Sequence, residues 1–569
     1  MFTQGALVTT TTLEDIVQAG VKLTPMMKQY YEIKQNHPET MLLFRMGDFY
    51  EVFFEDAINA AKILNIARTH RGKLGDYPIP MAGIPHHAAS TYIDRLTGAG
   101  LRVAICEQVQ DPKDAKGIVN RAVTQVVSPG MPFDLEQTEG REHHYMTAGH
   151  LTEDGKYYLV ALDFTTGDFF GKQFESAEDF LENLQLLAPK EFIAYMGQWE
   201  KESETSQALD NLLNHFGILK THLSQEYFDP QYNNLYTERL IPGFERDKVL
   251  QSRPHILGPI GALSYYVCST QSGADGNNNF IQIQPFRLVN QEGQLKVTRQ
   301  TLTGLEIFAK TREAYKDSLL GFMDKTQTSM GSRQLKSFFL APLTDQKAIQ
   351  SRQDVVQSFL QDSAKLDTLR QKLSDVRDLE RILTKVTTGK ATSCDLLNLA
   401  TAINLSDDII KVLTDTEAKI VQQPVPEDFK ALKNLTKSIE QTLNDEVGAS
   451  LEKGNLIREG ASNERDRLAD LAHNATHELT KLEERYRQQS GIQKLRVKSN
   501  NVAGYFIEVS KTHADKVPNT FQRRQTLVNS ERYTTDELSQ FEKDMITAQE
   551  RLERLERDIF KGLIADVSA

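Results

Sequence analysis

The chain of 569 residues has the apolar and charged fractions of an ordinary globular protein and a formal net charge of −12. That length exceeds what one hydrophobic core supports, so several domains are expected. The negative charge argues against a protein coated in nucleic acid but allows local basic patches, and no apolar run reaches the ~20 residues that span a bilayer. Three scattered cysteines without a CxxC pair argue against disulfides and structural zinc. A cytoplasmic protein with no membrane partner is therefore expected.

The amino-terminal part predicts a small α/β domain over residues 22–133, preceded by a flexible arm over residues 1–21. A helix begins after Thr24, its N-cap, with Pro25 at the first helical position. The stretch MLLFRMGDFYEVFF then predicts a strand, a turn at Gly47-Asp48 and a second strand, and LRVAICEQV predicts another strand.

Residues 134–272 again alternate between strand and helix patterns. YYLVALDFTTGDFFG predicts a hairpin that turns at Thr166-Gly167, and a helix over AEDFLENLQLLA and a strand over EFIAYM follow, so a second mixed α/β domain is expected. Asp163 lies on a strand without a second acidic ligand that we can assign to it, whereas a two-metal site needs several converging carboxylates. We interpret Asp163 as structural and predict no metal site.

The remainder of the chain is mainly helical, beginning with residues 273–455. SNERDRLADLAHNATHELTKLEERYRQQSG then predicts a long amphipathic helix. Apolar residues from Leu538 to Ile559 recur at spacings of three and four, which predicts a second long helix packed antiparallel to the first. Between these helices the period falls to two, which predicts a small β unit. We place this unit and its supporting helix at residues 456–524 and the returning helix at residues 525–569.

The predicted β unit is basic although the whole chain is acidic. Residues 494–533 carry eight lysine or arginine side chains and three acidic ones. Lysine and arginine neutralise phosphates when a protein binds nucleic acid, although a charged run is also what a solvated face requires. We predict phosphate contacts from five of these side chains: Arg496, Lys498, Lys511, Arg523 and Arg524.

Residues 46–57, MGDFYEVFFEDA, place two aromatic side chains among acidic ones directly after a predicted turn. On extended backbone Glu51 points to the same side as Phe49, and Tyr50 points to the opposite side, into the domain. From the residues alone two interpretations stay open. Phe49 is a core residue beside a solvated Glu51, or it is an exposed aromatic presented to a ligand.

Eight motifs occur along the chain in the order TPMMKQY, FRMGDFYEVFFEDA, PMAGIPHHA, VAICEQ, GSRQLKSF, DLERIL, NVAGYFIEVSK and RRQTLVNSERY. From about residue 22 onward they resemble the MutS family of bacterial DNA mismatch-repair proteins. The resemblance implies a multidomain fold, α/β followed by all-α. Its parts would be a mismatch-recognition domain (22–133), an RNase H-like connector (134–272), a helical core with long lever helices (273–455), a β clamp domain (456–524) and a returning lever helix (525–569).

The resemblance implies a sensor of DNA mismatch repair that recognises mispaired or unpaired bases in double-stranded DNA. Phe49 would enter the minor groove as a wedge and kink the duplex, at least cost where pairing is already defective. Glu51 would contact the displaced base. Arg71 matches a DNA-contact position of the family, and Arg121 is a weaker candidate for the DNA backbone. The pair His86-His87 is interpreted as structural.

The resemblance also implies partners: duplexes with mismatches or small loops, a second copy of the chain in a homodimer, and a MutL-type repair protein, in the nucleoid-associated cytoplasm of a bacterium. ATP and magnesium are implied only for the family's ATPase domain. The sequence contains no phosphate-binding G-x-x-x-x-G-K-[ST] loop, since the nearest stretch, TTGKATS, has Thr384 where the first glycine must fall. No cofactor and no catalytic residue are therefore predicted, and the chain is not expected to be an enzyme.

Three stretches depart from the family pattern. Ser329 stands where proline is common, MPFDLE follows Gly130, and Arg68 replaces an apolar residue; these changes affect expectations about packing rather than the recognition turn. One alternative function is a base-flipping glycosylase with Glu51 as its acid. Another is a helical DNA-binding scaffold or a recombination-type paralogue without mismatch preference, although that paralogue lacks the amino-terminal recognition domain.

Overall fold

The computed structural model describes residues 22–74, 77–110, 117–135, 138–195, 197–199, 203–271, 283–290, 292–311, 313–414, 429–446, 450, 453–473, 475–500, 504–527 and 529–568. The arm predicted for residues 1–21 lies outside them. The described residues form two compact units. The first comprises those within Met1–Lys390 and Ile409–Gln423, and the second those within Ala391–Asp408 and Pro424–Ala569.

The first unit begins with a six-stranded sheet in the order β3-β4-β2-β1-β5-β6. Its strands are β1 (Met41–Met46), β2 (Phe49–Phe53), β3 (Thr69–Leu74), β4 (Tyr77–Pro85), β5 (Val103–Gln108) and β6 (Arg121–Val127). Only β1 and β5 pair in parallel among these strands. Three helices flank the sheet: α1 (Pro25–Asn36), α2 (Phe54–Leu64) and α3 (Ala89–Gly98).

The central strands of this sheet carry buried apolar side chains on both faces. Leu43 and Val52 pack on one face with side chains from α2 and α3, whereas Leu42 and Phe44 pack on the other with Tyr30 of α1. Helix α1 begins as predicted, because the Thr24 hydroxyl accepts a hydrogen bond from the Met27 amide and Pro25 lies in the first turn. The two layers of helices hold the β1–β2 hairpin in place.

A second six-stranded sheet follows, in the order β11-β10-β7-β8-β9-β12. Its strands are β7 (Tyr145–Leu151), β8 (Tyr157–Asp163), β9 (Phe169–Phe174), β10 (Glu191–Tyr195), β11 (Leu219–Leu223) and β12 (Arg287–Leu288). Its helices are α4 (Ala177–Leu187), α5 (Glu204–Phe216), α6 (Pro230–Leu240), α7 (Lys248–Gln251) and α8 (Leu257–Thr270). The sheet thus includes a strand beyond residue 272, the predicted end of this domain.

Asp163 ends β8 and is fully buried. One carboxylate oxygen accepts from the amide and hydroxyl of Thr165, at 2.9 and 2.7 Å, and the other from the amide of His144 at 3.0 Å. Burial opposes ionisation, but these bonds and the His143 imidazole at 2.9 Å hold the pKa of Asp163 below its usual range. The carboxylate fixes the hairpin that was predicted at Thr166-Gly167, where Gly167 has a φ of +74°.

The helical part of the first unit contains α9 (Arg299–Gly304), α10 (Leu319–Met323), α11 (Ser329–Leu340), α12 (Gln346–Gln361), α13 (Ser363–Ser374) and α14 (Leu379–Thr387). Two of the motifs meet here. Arg333 of GSRQLKSF is 2% exposed and forms a bidentate ion pair with Asp378 of DLERIL, at 2.7 and 2.8 Å. Arg381 of the same motif donates to the main-chain oxygens of Thr138 and Glu139. These arginines fasten the helices to the segment that precedes β7.

The second unit contains a four-stranded antiparallel sheet in the order β13-β14-β16-β15. Its strands are β13 (Arg496–Asn500), β14 (Gly504–Ser510), β15 (Gln522–Thr526) and β16 (Ser530–Thr534), and its helices include α15 (Ser393–Thr414, up to Asp408), α16 (Phe429–Thr442), α17 (Asn463–His473), α18 (Ala475–Ser490) and α19 (Asp536–Ser568). The last helix confirms the predicted returning helix, whereas β16 lies beyond the predicted domain limit at 524. The turn predicted in SNNVAGY falls largely on residues 501–503, outside the described residues.

Helices α17 and α18 run antiparallel to α19, as predicted from the apolar stripe. Arg465 pairs with Glu556 near one end, and Arg485 pairs with Glu537 near the other. Glu556 was not predicted as a contact and is fully buried, with its oxygens accepting from Arg465 Nε at 3.0 Å and from the Leu456 amide at 3.1 Å. A buried charged pair thus lies beside the apolar stripe of α19.

We expect Glu556→Ala to destabilise the second unit by about 1–3 kcal/mol, because Arg465 Nε and the Leu456 amide lose their buried acceptor while Arg465 keeps only Asp466 and the Gly454 oxygen. Hydrogen exchange of peptides from Asn463–His473 and Asp536–Ser568 measures this local loss. The control is Glu537→Ala, because the side chains of the Arg485–Glu537 pair are 49% and 50% exposed and their separation should cost ~0–1 kcal/mol. Equal protection in the two variants would contradict a structural role for the buried pair.

Candidate nucleic-acid interface

Phe49 is presented at a tight turn between β1 and β2. Gly47 adopts a φ of +59° in this turn, and Met46 pairs with Phe49 directly after it. The main-chain oxygen of Gly47 accepts from Arg45 Nε at 2.6 Å, and that of Asp48 accepts from the His86 amide at 2.8 Å. These bonds hold the turn from two sides, and Phe49 is left 48% exposed.

Tyr50 points away from Phe49 and is 2% exposed, as the strand period predicted. Its hydroxyl donates to the Glu107 carboxylate on β5, and its ring lies 5.5 Å from the Arg45 guanidinium. Burial, together with the hydrogen bond to Glu107, raises the pKa of Tyr50 above its ordinary value. The residue anchors β2, so that the exposed aromatic stands on a fixed support.

Glu51 lies on the same side of β2 as Phe49 and is paired with Arg71 of β3. Arg71 Nη1 donates to Glu51 Oε2, and the two side chains are 38% and 14% exposed, respectively. The pair joins β2 to β3 across β4. Gly83 of β4 is opposite Glu51 in register, and a Cβ added there would lie 3.7 Å from Phe49 Cδ1. The structure thus brings together three of the predicted site residues: Phe49, Glu51 and Arg71.

Arg121 lies at the start of β6, and its donors are engaged within the protein. Its Nε donates to the main-chain oxygen of Arg45 at 2.7 Å, and its Nη1 donates to Val119 and Gln29 at 3.0 and 3.1 Å. The guanidinium also lies 4.9 Å from the Phe44 ring centre. Burial lowers the pKa of Arg121. These contacts fasten β6 to α1 and β1, and the contact of Arg121 with DNA stays a prediction.

In the second unit, the register of the four-stranded sheet places a row of polar side chains on one face: Arg496, Glu508, Arg532 and Gln525. Ile507 and Val509 are buried on the opposite face, so this row lies on the outer face. Lys498 shares the outer face and forms an ion pair with Glu508 at 2.9 Å.

The remaining predicted phosphate contacts lie elsewhere on the same sheet unit. Arg523 and Arg524 lie on β15, an edge strand whose residues are all exposed, and Lys511 begins the 3-10 turn Lys511–Lys516. Arg523 lies 3.7 Å from the Glu531 carboxylate. Arg532, which was counted in the basic run but not selected, covers the Phe506 ring at 4.2 Å. In SERYT, Arg532 occupies the strand position between Glu531 and Tyr533, both of which are buried. This alternation could have assigned Arg532 to the outer face together with Arg496.

Among the described residues, no group of three or more His, Cys, Asp or Glu side chains could hold a metal ion. His86 is exposed; its main-chain N–H donates a hydrogen bond to the Asp48 oxygen in the turn, and its ring centre lies 5.5 Å from that of Tyr50. Glu51 is held by an arginine, and no second carboxylate among the described residues is assigned to it. The geometry thus presents an aromatic side chain and charged groups for contact with a ligand.

Comparisons with known proteins give consistent matches along the chain. Three family models match: MutS domain I over residues 24–136, MutS domain II over residues 144–282 and MutS domain III over residues 300–569. The chain belongs to the MutS family. The family predicted from the eight motifs is therefore confirmed.

Three relatives named DNA mismatch repair protein MutS illustrate the similarity. The chain is 34% identical over 546 residues to that of Fervidobacterium nodosum, 35% over 550 residues to that of Thermotoga maritima and 34% over 553 residues to that of Myxococcus xanthus. Each alignment covers 96% of this chain but only 63%, 65% and 60% of the respective relative. The chain thus spans less than two thirds of the length of these relatives.

We expect Arg121→Ala to loosen β1 and β6 of the region matched by MutS domain I by about 1–3 kcal/mol, because the hydrogen bonds to Arg45, Val119 and Gln29 and the packing on Phe44 are lost. Hydrogen exchange of peptides covering the two strands measures the change. Arg68→Ala is the control, since Arg68 is exposed before β3 and its loss should stay within about 0.5 kcal/mol. Unchanged exchange in the Arg121 variant would show that the arginine is free for another role.

Proposed function

We propose that the chain recognises mispaired or unpaired bases in double-stranded DNA as the sensor of DNA mismatch repair. The observation that carries the proposal is the half-exposed Phe49 beside Glu51, on a turn held by hydrogen bonds, in the region matched by MutS domain I. The names of the relatives, DNA mismatch repair protein MutS, support the same conclusion.

In this proposal Phe49 acts as a wedge. An apolar side chain pushed between base pairs from the minor groove unstacks a step and kinks the duplex. Unstacking costs a few kcal/mol and costs least where pairing is already defective. A ring on a loose loop would fold back against the protein instead. The bonds from Arg45 and His86 to the turn and the anchoring of Tyr50 prevent this.

Glu51 supplies the second element of discrimination. A carboxylate near the phosphate backbone is repelled by it, so its presence implies a short-range compensation. A hydrogen bond from a base N–H to the carboxylate provides one, and hydrogen bonds to charged groups are worth about 1.5–3 kcal/mol. A base in a regular pair uses the N–H groups of its Watson–Crick edge in that pair, whereas a displaced base offers them to Glu51.

The basic sheet of the second unit contacts the DNA backbone without reading its sequence. Five side chains supply the cations for these contacts: Arg496, Lys498, Lys511, Arg523 and Arg524. Phosphate contacts position a protein on the duplex and account for most of its non-specific affinity. The carboxylate of Glu508 next to Lys498 moderates that affinity.

The proposal also covers the binding partners of the chain and its location in the cell. The ligand is a duplex with mismatches or small loops, and the chain acts in the bacterial cytoplasm as part of a homodimer that engages a MutL-type repair protein. None of the helices in the described part of the chain is long and apolar enough to cross a membrane. We also propose that the 569-residue chain does not itself bind or hydrolyse ATP, a proposal that rests on its lack of a P-loop motif.

We expect Phe49→Ala to lose most of the preference for a G·T duplex over a fully paired one, with an unchanged melting profile because the side chain is exposed. Binding titrations with both duplexes measure the preference. The matched control is Phe322→Ala, which removes another phenylalanine, 72% exposed on α10, and should keep the full preference. If Phe49→Ala still discriminates while its melting temperature falls, Phe49 is structural and the wedge is wrong.

We expect Lys498→Ala and Arg523→Ala to weaken binding to paired and mispaired duplexes equally. Each should reduce the slope of log affinity against log salt by roughly one unit, because one phosphate contact is lost. Lys561→Ala is the control, because this lysine is exposed on α19 outside the sheet and its loss should leave the slope unchanged. A loss confined to the mispaired duplex would exclude a backbone role for the sheet.

A further inference from the structure

Glu51 and Arg71 are both predicted to contact DNA, and in the free protein their side chains form an ion pair with each other. Glu51 is expected to meet a base and Arg71 a phosphate, yet the structure joins their side chains directly. Glu51 is the more enclosed partner, with 14% of its side chain exposed against 38% for Arg71. DNA therefore meets a neutral pair rather than an available cation and an available anion.

We propose that this ion pair is an exchangeable internal counterion, which makes the phosphate contact of Arg71 conditional on Glu51 receiving a hydrogen bond from an unpaired base. The inference rests on the proposed function, since it concerns the same site. It adds a specificity role for Arg71 that phosphate binding alone does not contain. Arg71 would bind a phosphate of the DNA backbone only when Glu51 has accepted a hydrogen bond from a base.

On a fully paired duplex the exchange is unfavourable. If Arg71 moves to a phosphate, Glu51 is left with little solvent and no cation, beside the negative backbone. Removing one partner from a poorly solvated ion pair is costly, because the remaining charge stays desolvated. In paired DNA the imino N–H groups are used between the bases, and guanine alone keeps an amino N–H on the minor-groove edge. That group stays in the stacked pair rather than being displaced toward Glu51, so no displaced donor replaces the guanidinium. Arg71 stays on Glu51 and contributes little affinity.

At a mispaired base the balance changes. A base displaced by the Phe49 wedge offers an N–H group to Glu51, and one charge-assisted hydrogen bond replaces another. Arg71 is then free to bind a phosphate, whose bidentate geometry suits a guanidinium. The gain of a phosphate contact is thereby coupled to the presence of the mismatch.

The surrounding charges leave Glu51 dependent on Arg71. Arg121 interacts electrostatically with both members of the pair. However, its Nε and Nη1 already donate to Arg45, Val119 and Gln29. Arg121 therefore moderates the field at the site without offering these donors to Glu51 when Arg71 leaves.

The test measures the salt dependence of binding to a fully paired duplex and to a G·T duplex. The variants are Glu51→Gln, Arg71→Gln and the double variant. In Glu51→Gln the arginine loses its anionic partner and keeps only a neutral amide acceptor, so binding to paired DNA should tighten about tenfold and the salt slope should rise by roughly one unit. Both gains should be absent when Glu51→Gln is made in the Arg71→Gln background. Circular dichroism of each variant checks that its fold is kept.

The G·T duplex provides the second arm. The wild type already makes the Arg71 phosphate contact there, so Arg71→Gln should lower the slope by roughly one unit on the G·T duplex and leave it nearly unchanged on paired DNA. Glu39→Gln is the matched control. It breaks another ion pair, with Arg102, at the opposite end of β1, and should change neither slope.

Two outcomes overturn the exchange while leaving the proposed function intact. One is a wild type that prefers the G·T duplex but a Glu51→Gln variant whose slope on paired DNA is unchanged. The other is an equal gain from Glu51→Gln with and without Arg71, which indicates simple repulsion of phosphates by the carboxylate. A wild type that binds both duplexes equally instead overturns the proposed function, and the inference falls with it.

Discussion

The exposure of Phe49 depends on the burial of the two strands that lead to it and away from it. Side chains of β1 and β2 pack against α1 on one face of the sheet and against α2 and α3 on the other. Burial of this apolar surface on both faces fixes the backbone of the hairpin. The turn at its end cannot move to cover the ring of Phe49 without breaking those contacts. The proposed wedge requires a rigid support of this kind, because the side chain that unstacks the bases must not yield with its own backbone.

Buried charges fix other parts of the structure where apolar contacts would not specify one arrangement. Arg333 meets Asp378 in the first unit, and Arg465 meets Glu556 in the second. Each arginine also donates to a main-chain oxygen, of Gly140 or Gly454. A hydrophobic replacement could fill the same volume, but it would not hold those oxygens. These pairs therefore connect helices to particular segments of irregular chain. Apolar contacts alone would not specify which segment packs against which helix.

The sequence predicted features that depend on local periodicity. The opposite orientations of Phe49 and Tyr50, the cap at Thr24 and the long helix that returns to the end of the chain follow from neighbours a few residues apart. Features that depend on distant pairing were missed. The ion pair of Glu51 needs β3 and β2 to lie on either side of β4, and the burial of Glu556 needs Arg465 from another helix. The partners of Arg71 and Arg465 cannot be predicted from spacing in the sequence.

Carboxylates accompany the predicted phosphate contacts in both units. Glu51 holds Arg71, Glu508 holds Lys498, and Glu531 lies beside Arg523. Each carboxylate lowers the affinity that its cation would show for any phosphate, because part of the gain on binding is offset by the loss of the internal pair. For the proposed function, recognition of rare defects in a large excess of paired DNA is limited by the non-specific affinity as much as by the affinity for the defect. Pairing cations with acids in the free protein reduces the first quantity. The second quantity is preserved only where the acid receives a new partner, as we propose for Glu51 and a displaced base.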